Sequence, residues 1–252
     1  MKMIRALKNK IKFILSINWV KTLYFNFKMF PFKIAKKLPV FFYGSVKFSG
    51  LSGGIVIDAP IKTGMVGFGQ PYEKTTRSSG ISELTLWGEL VFKGHVQFGK
   101  DYFIYVGVNA YCEFGHMSSL GSNGKIICAE KIILGNYARL GSESQIIDTN
   151  FHQMINTITG EKYSMTSSII IGDYNYIGNR VSIMQKTVTS AFLTIASNSL
   201  CNKDYTNLSE HILIGGFPAK FIKDNISRDW EGEKDMLERS LIINYNPLCI
   251  MI

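Results

Sequence analysis

Leu84, Leu90, Val96, Tyr102, Val108, Phe114, Leu120, Ile126 and Ile132 follow one another at intervals of six residues, with no charged side chain among them. Two positions on, a companion series is apolar or small with few exceptions: Leu86, Phe92, Phe98, Ile104, Ala110, His116, Ser122, Cys128, Leu134, Leu140 and Ile146. After a break the period returns one residue out of register at Ile171, Ile177, Ile183, Thr189, Ile195 and Cys201. A period of six fits neither a helix nor a flat alternating sheet. It describes short strands turning around a polygonal coil, so the chain is expected to be an all-β solenoid.

Composition sets the remaining limits. The 252 residues, 46% of them hydrophobic, can bury a sizeable core, and no apolar run has the length needed to span a bilayer. Cys112, Cys128, Cys201 and Cys249 lack paired short spacings, and Cys128 and Cys201 fall on inward positions of the repeat. They are expected to be core residues of a reducing compartment rather than a disulfide or metal frame.

The net charge of +9 suggests nucleic acid until its distribution is followed. Residues 1–51 hold eleven Lys or Arg and no acid, the first being Asp58, so the rest of the chain carries 17 basic and 19 acidic residues. The lysines alternate with Ile11, Phe13, Leu15, Trp19, Leu23, Tyr24, Phe27 and Phe32. Such a segment suits either an anionic lipid surface or a helical cap on the solenoid, and the two are compatible. Lys8, Lys10, Lys12 and Lys21 interrupt the apolar stretch, which argues against a cleaved signal peptide.

The expected organisation is a basic, aromatic-rich helical arm over 1–40, a glycine-containing β segment over 41–83, a hexapeptide-repeat unit over 84–214, and a tail with a helix over 215–252. Trp230, Met236 and Leu237 alternate with charges at helical spacing near Asp229–Ser240. Within the repeat, Ile146 and Ile171 are separated by four hexads plus one position, so the stretch near 149–168 leaves the coil or shifts its register. Excursions on rigid scaffolds often carry function. This one holds Asp148, Asn150, His152, Glu161 and Lys162 at or near its ends, although spacing alone is equally compatible with a solvated histidine.

Several segments in order carry a family resemblance: DTNFH (148–152), GEKYS (160–164), IIIGDYNYIGN (169–179), IASNSLCNKD (195–204) and GGFPAK (215–220). Over somewhat less than half of its length the chain resembles the hexapeptide-repeat acyltransferases, in particular the galactoside and maltose O-acetyltransferases and the capsule or lipopolysaccharide O-acetyltransferases. The resemblance implies a left-handed parallel β-helix, triangular in section, assembled as a homotrimer with active sites between subunits. With three hexads per coil, residues 84–146 would form between three and four coils. It also implies acetyl transfer from acetyl-CoA to a sugar hydroxyl in surface polysaccharide biosynthesis, at the cytoplasmic side of the membrane, on a sugar or glycolipid acceptor.

His152 occupies the position of the family's general base, where imidazole would take the hydroxyl proton as the oxygen attacks the thioester. Asp148, Asn150 and Glu161 are candidates to orient it, as is a backbone carbonyl. Asn179, Ser197, Asn202, Lys203, Lys220 and Lys223 match cofactor-contacting positions, with Ser197, Asn202 and the two tail lysines departing from the usual Ala, Thr and Arg. Lysine cannot form the bidentate fork of arginine. His95 and His116 invite comparison with the zinc hydratases that share this fold, but the close histidine pair of that class is absent and no metal is expected. The alternatives are an amino-sugar N-acetyltransferase and a catalytically silent membrane-surface scaffold; nucleic-acid binding is not expected.

Overall fold

A computed structural model describes residue 8 and residues 11–73, 76–78 and 80–243; the remainder of the N-terminal arm and Cys249 lie outside the described residues. The strands are two to six residues long, and consecutive strands of the repeat fall in different sheets. One sheet runs β1 (Val40–Phe42), β4 (Val66–Phe68), β7 (Val96–Phe98), β10 (Ser119–Leu120), β13 (Arg139–Leu140), β16 (Tyr176–Ile177), β18 (Thr194–Ile195), β20 (Leu213–Gly216) and β21 (Ala219–Lys223). The second runs β2 (Val46–Leu51), β5 (Ser82–Leu86), β8 (Phe103–Val106), β11 (Lys125–Cys128), β14 (Gln145–Ile147), β17 (Ser182–Met184) and β19 (Leu200–Cys201). The third holds β3 (Gly54–Ile57), β6 (Glu89–Phe92), β9 (Tyr111–Phe114), β12 (Lys131–Leu134) and β15 (Ile169–Ile171). All pairings between these strands are parallel except β20–β21, so the chain winds as a three-faced coil.

Register explains the periodicity and corrects its regularity. Leu84, Ile104, Ile126, Ile146, Ile183 and Cys201 are stacked partners on the second face. Measured against three hexads, the coil from Leu84 to Ile104 has two extra positions, the next has four and the next two, and the excursion adds nineteen to the coil that follows. Only the coil from Ile183 to Cys201 has the ideal length. The longer coils place additional residues at the corners. Val108, which a strict count of six groups with the core residues, sits in such a corner and is 67% exposed. Inside, Phe42, Phe68 and Phe98 stack at 5.0 and 4.3 Å with nearly parallel rings, and Leu120, Leu140, Ile177, Ile195 and Ile214 continue that column. Cys112, Cys128 and Cys201 are buried free thiols. Some corners leave no space for a side chain: a Cβ on Gly115 would lie 2.4 Å from the Asn136 nitrogen of the next coil.

A helical segment closes the coil at the N-terminal end of the chain, and a helix at the C-terminal end packs along its side. α1 (Trp19–Met29), capped by the Asn18 side chain, and the short α2 (Phe32–Ala35) precede β1, with residues 11–16 also helical. Phe25 is fully buried against Phe42 and Phe48 of the first coil. Asn26 donates to the Val40 carbonyl at 2.7 Å and accepts from its N–H at 3.2 Å, while Thr22 Oγ1 accepts from Phe42 N at 3.0 Å. These bonds satisfy the strand edge that a parallel stack leaves open. At the other end α3 (Trp230–Leu241), capped by Asp229, lies against an external ladder of Tyr137, Tyr174 and Phe192, each in left-handed backbone and stacked at 5.0 and 4.9 Å. Trp230 meets the two tyrosines edge-on, and the Tyr137 hydroxyl is hydrogen-bonded to Glu238.

Candidate functional site

The chain leaves the coil after β14, at the corner between the second and third faces, and returns at β15. The excursion is an antiparallel hairpin. Thr149 bridges Thr166 and Ile155 bridges Lys162, with hydrogen bonds from Asn150 N to Met165 O at 2.9 Å and from Tyr163 N to Met154 O at 2.9 Å. Asn156 Oδ1 accepts from Ile158 N and Thr159 N to form the tip, and Gly160 supplies a φ of +73° for the return.

Asp148 anchors the base of this hairpin. It is fully buried, its Oδ1 accepts from Ala129 N at 2.7 Å, and its Oδ2 accepts from Glu130 N at 2.9 Å and Lys131 N at 2.8 Å. Both carboxylate oxygens are thus engaged by the preceding coil. Four residues on, His152 is exposed, as are Asn150 and Glu161. Neither the imidazole nor the Glu161 carboxylate forms a hydrogen bond with a described residue. The structure therefore places all four residues on one excursion, with Asp148 held apart from the others by its own bonds.

An aromatic column that spacing did not single out lies on the same corner. Trp87, at the end of β5, meets Tyr105 of β8 edge-on at 5.5 Å, and Tyr105 meets Phe151 at 6.3 Å. Trp87 is 41% and Phe151 57% exposed. Gly50 makes the seat for the indole, since a Cβ there would lie 2.1 Å from Trp87 Nε1. The signal available in the sequence was aromatics off the inward positions, Tyr105 on the outer side of β8 and Trp87 and Phe151 at corners.

The cofactor candidates divide into three groups. Asn179 and Ser197 stack on the corner between the first and second faces, where Asn179 Oδ1 accepts from Ser142 N at 3.0 Å and Asn179 N donates to Ser197 Oγ at 3.1 Å. Asn202 and Lys203 lie on the hairpin's own corner, two strands above it and so about 10 Å away along the stack. Lys220 and Lys223 are exposed on β21 and form no ion pair with a described residue. The first two groups flank the upper part of the second face. Cavities of about 440 and 460 Å³ occur elsewhere, the first between Tyr43, Tyr72 and Leu241 and the second beside Tyr176 and Arg228, and His152 lines neither.

His95 and His116 face each other at 5.9 Å near α3, on the corner between the third and first faces rather than on the hairpin's corner. His95 is 4% exposed with its Nε2 unpartnered, and burial followed by the charges of His116 and Lys62 pushes its pKa down to about 4. His116 Nδ1 accepts from the His95 N–H at 3.2 Å, and burial likewise lowers its pKa. No group of three metal-ligating side chains occurs among the described residues.

No protein-family model and no curated protein matches the chain. Among solved structures, the polySia-specific acetyltransferase NeuO matches with a TM-score of 0.50 and 19% identity over 73% of this chain and 88% of that one. The polysialic acid O-acetyltransferase OatWY gives 0.43 and 16% over 73% and 91%. The N-acyltransferase AntD from Bacillus cereus, solved with dTDP and coenzyme A, gives 0.41 and 13% over 84% and 97%. At these identities the likeness extends to the fold, and the three-faced coil described above is the fold this chain shares with the NeuO structure.

Proposed function

We propose that the protein is an acetyl-CoA-dependent O-acetyltransferase acting on a sugar hydroxyl of a surface polysaccharide, with His152 as general base. The observation that carries this reading is a rigidly based hairpin presenting an exposed imidazole beside the Trp87–Tyr105–Phe151 column and below the corner holding Asn202 and Lys203. The winding would be left-handed, as in the family the sequence resembles. His152 would remove the acceptor proton while the hydroxyl oxygen attacks the thioester carbonyl, leaving the CoA thiolate as the leaving group. Asp148 would act by fixing the hairpin's base, whereas Asn150, Glu161 or a backbone carbonyl of a neighbouring chain would orient the ring. Exposed aromatic faces suit the apolar C–H faces of a sugar.

Lys203, Lys220 and Lys223 would attract the phosphates of CoA, with Asn179, Ser197 and Asn202 beside the pantetheine arm. Met154, Ile155, Ile158 and Met165 on the hairpin are 43–92% exposed, and a homotrimer in which they pack on the adjacent subunit would complete each site. The test is acceptor-dependent release of free CoA across a panel of glycans, nucleotide sugars and glycolipid fragments. His152→Ala is expected to lower turnover by about 10²–10⁴-fold while acetyl-CoA binding persists. Undiminished release would remove His152 as the base. Transfer to an amine but to no hydroxyl would establish the N-acetyltransferase alternative, and absence of saturable acetyl-CoA binding would leave a scaffold.

A further inference from the structure

α1 packs one face on the coil and leaves an apolar face on the opposite side. One closes the coil through Thr22, Phe25 and Asn26; the other exposes Val20 (77%), Leu23 (42%) and Phe27 (48%), with the half-exposed Tyr24 at its edge stacked on Phe48 of the coil. Leu15 before α1 and Phe32 after it are 78% and 71% exposed, and Phe32 lies 6.1 Å from Phe27, so the outward ridge continues beyond the helix. Lys12, Lys28, Lys33, Lys36 and Lys37 are exposed around it, in a segment without one acid up to residue 51. A monomeric surface normally keeps such aliphatic and aromatic groups apart. A second copy of this face would meet like charge with like charge, and a nucleic-acid strand would leave the aliphatic centre in water. Acyl chains beneath anionic headgroups satisfy both components. No helix among the described residues is long and apolar enough to cross a membrane, so the ridge would lie in the interface.

We propose that this ridge docks the protein on an anionic membrane and stands the coil on end. The docking face is opposite the terminal coil, so the coil axis points away from the lipid. Sheet order places the hairpin's exit at β14, four strand spacings above β2, while the Phe151 contact with Tyr105 brings its first residues down toward β8, two spacings above β2. That is about 10–19 Å of stack. With about 10 Å for the capping helix, His152 stands roughly 20–30 Å from the surface. Resting on the acetyl-transfer reading, this identifies the acceptor as a membrane-anchored glycan modified well out along its chain rather than at the sugar joined to lipid.

Docking is measured without turnover, so it and the acetyl-transfer reading can fail separately. Partition of the full chain would be measured on phosphatidylcholine vesicles with and without phosphatidylglycerol. Binding is expected only with the anionic lipid, and Val20→Glu with Phe27→Glu should weaken it by about a hundredfold or more, each side chain contributing about tenfold. Ile81→Glu, also at an exposed apolar position (69%) but away from the ridge, should bind as wild type and controls for folding. Equal binding to neutral vesicles, binding indifferent to the ridge substitutions, a fall in oligomer mass on making them, or displacement from vesicles by an oligonucleotide would each overturn the docking. In a Cys249→Ser background, dyes at Thr157→Cys and Lys37→Cys should transfer energy to a headgroup acceptor with far greater efficiency from the cap. Equal or stronger transfer from the hairpin would overturn the upright orientation.

Discussion

The hairpin's base and its exposed arm differ within four residues. Asp148 is sealed in the coil with three backbone N–H groups on its carboxylate, whereas His152 is exposed and unpartnered among the described residues. In a DTNFH segment both look like catalytic candidates. The contrast shows how one short segment separates anchorage from exposure: the carboxylate fixes where the excursion starts, and the imidazole stands open on the surface.

Substitution can break that division most sharply. His152→Ala should abolish nearly all turnover, as above, while thermal unfolding stays within a degree or so of wild type, because the side chain contributes no described contact. Asp148→Ala should do the reverse first, lowering stability by about 2–4 kcal/mol through three partly buried donors left without an acceptor. Chemical denaturation would measure it, and an unchanged midpoint would show that the carboxylate does not hold the base. Turnover should also fall in Asp148→Ala at temperatures where the fold survives.

The coil body is expected to respond to pH through a residue outside the hairpin. His95 titrates near 4 when folded and near its ordinary 6.5 when unfolded, so between those values the unfolded chain binds the additional proton. The contribution of His95 to stability is therefore expected to be complete above pH 6.5 and to be lost as the pH falls toward 4, on the order of 1–2 kcal/mol at pH 5. His95→Gln should flatten that slope in denaturation curves at pH 7 and pH 5. Smaller effects are expected from the two flanks of the site: Trp87→Ala should raise the acceptor KM by about tenfold and Lys220→Ala the acetyl-CoA KM by a few-fold, each leaving the other constant unchanged. An exchange of those two effects in steady-state kinetics would reverse the assignment of acceptor and cofactor sides.

Much of the coil was legible because its rule is local. Leu84, Leu90, Val96, Ile126 and Ile132 must face inward wherever the chain turns every six residues, and all are fully buried. The rule lapses where a corner lengthens, as at Val108, because residues in a corner stack on nothing inside the coil. The site was legible only as a segment. His152 could be placed on an excursion, but the bonds of Asp148 go to Ala129, Glu130 and Lys131, a neighbouring coil that only the stacking register selects. Trp87, Tyr105 and Phe151 likewise come together from three separate turns of the chain.

Residue order by itself determined a polygonal coil of short strands, an interruption after Ile146 and a basic, acid-free beginning, since each follows from short-range period or composition. Tertiary structure alone decided the unequal lengths of successive coils, the capture of Asp148, and the two-sidedness of α1. The reason is physical: which strand edge a helix covers and which corner a carboxylate fills depend on groups brought together by stacking, at separations no local pattern encodes.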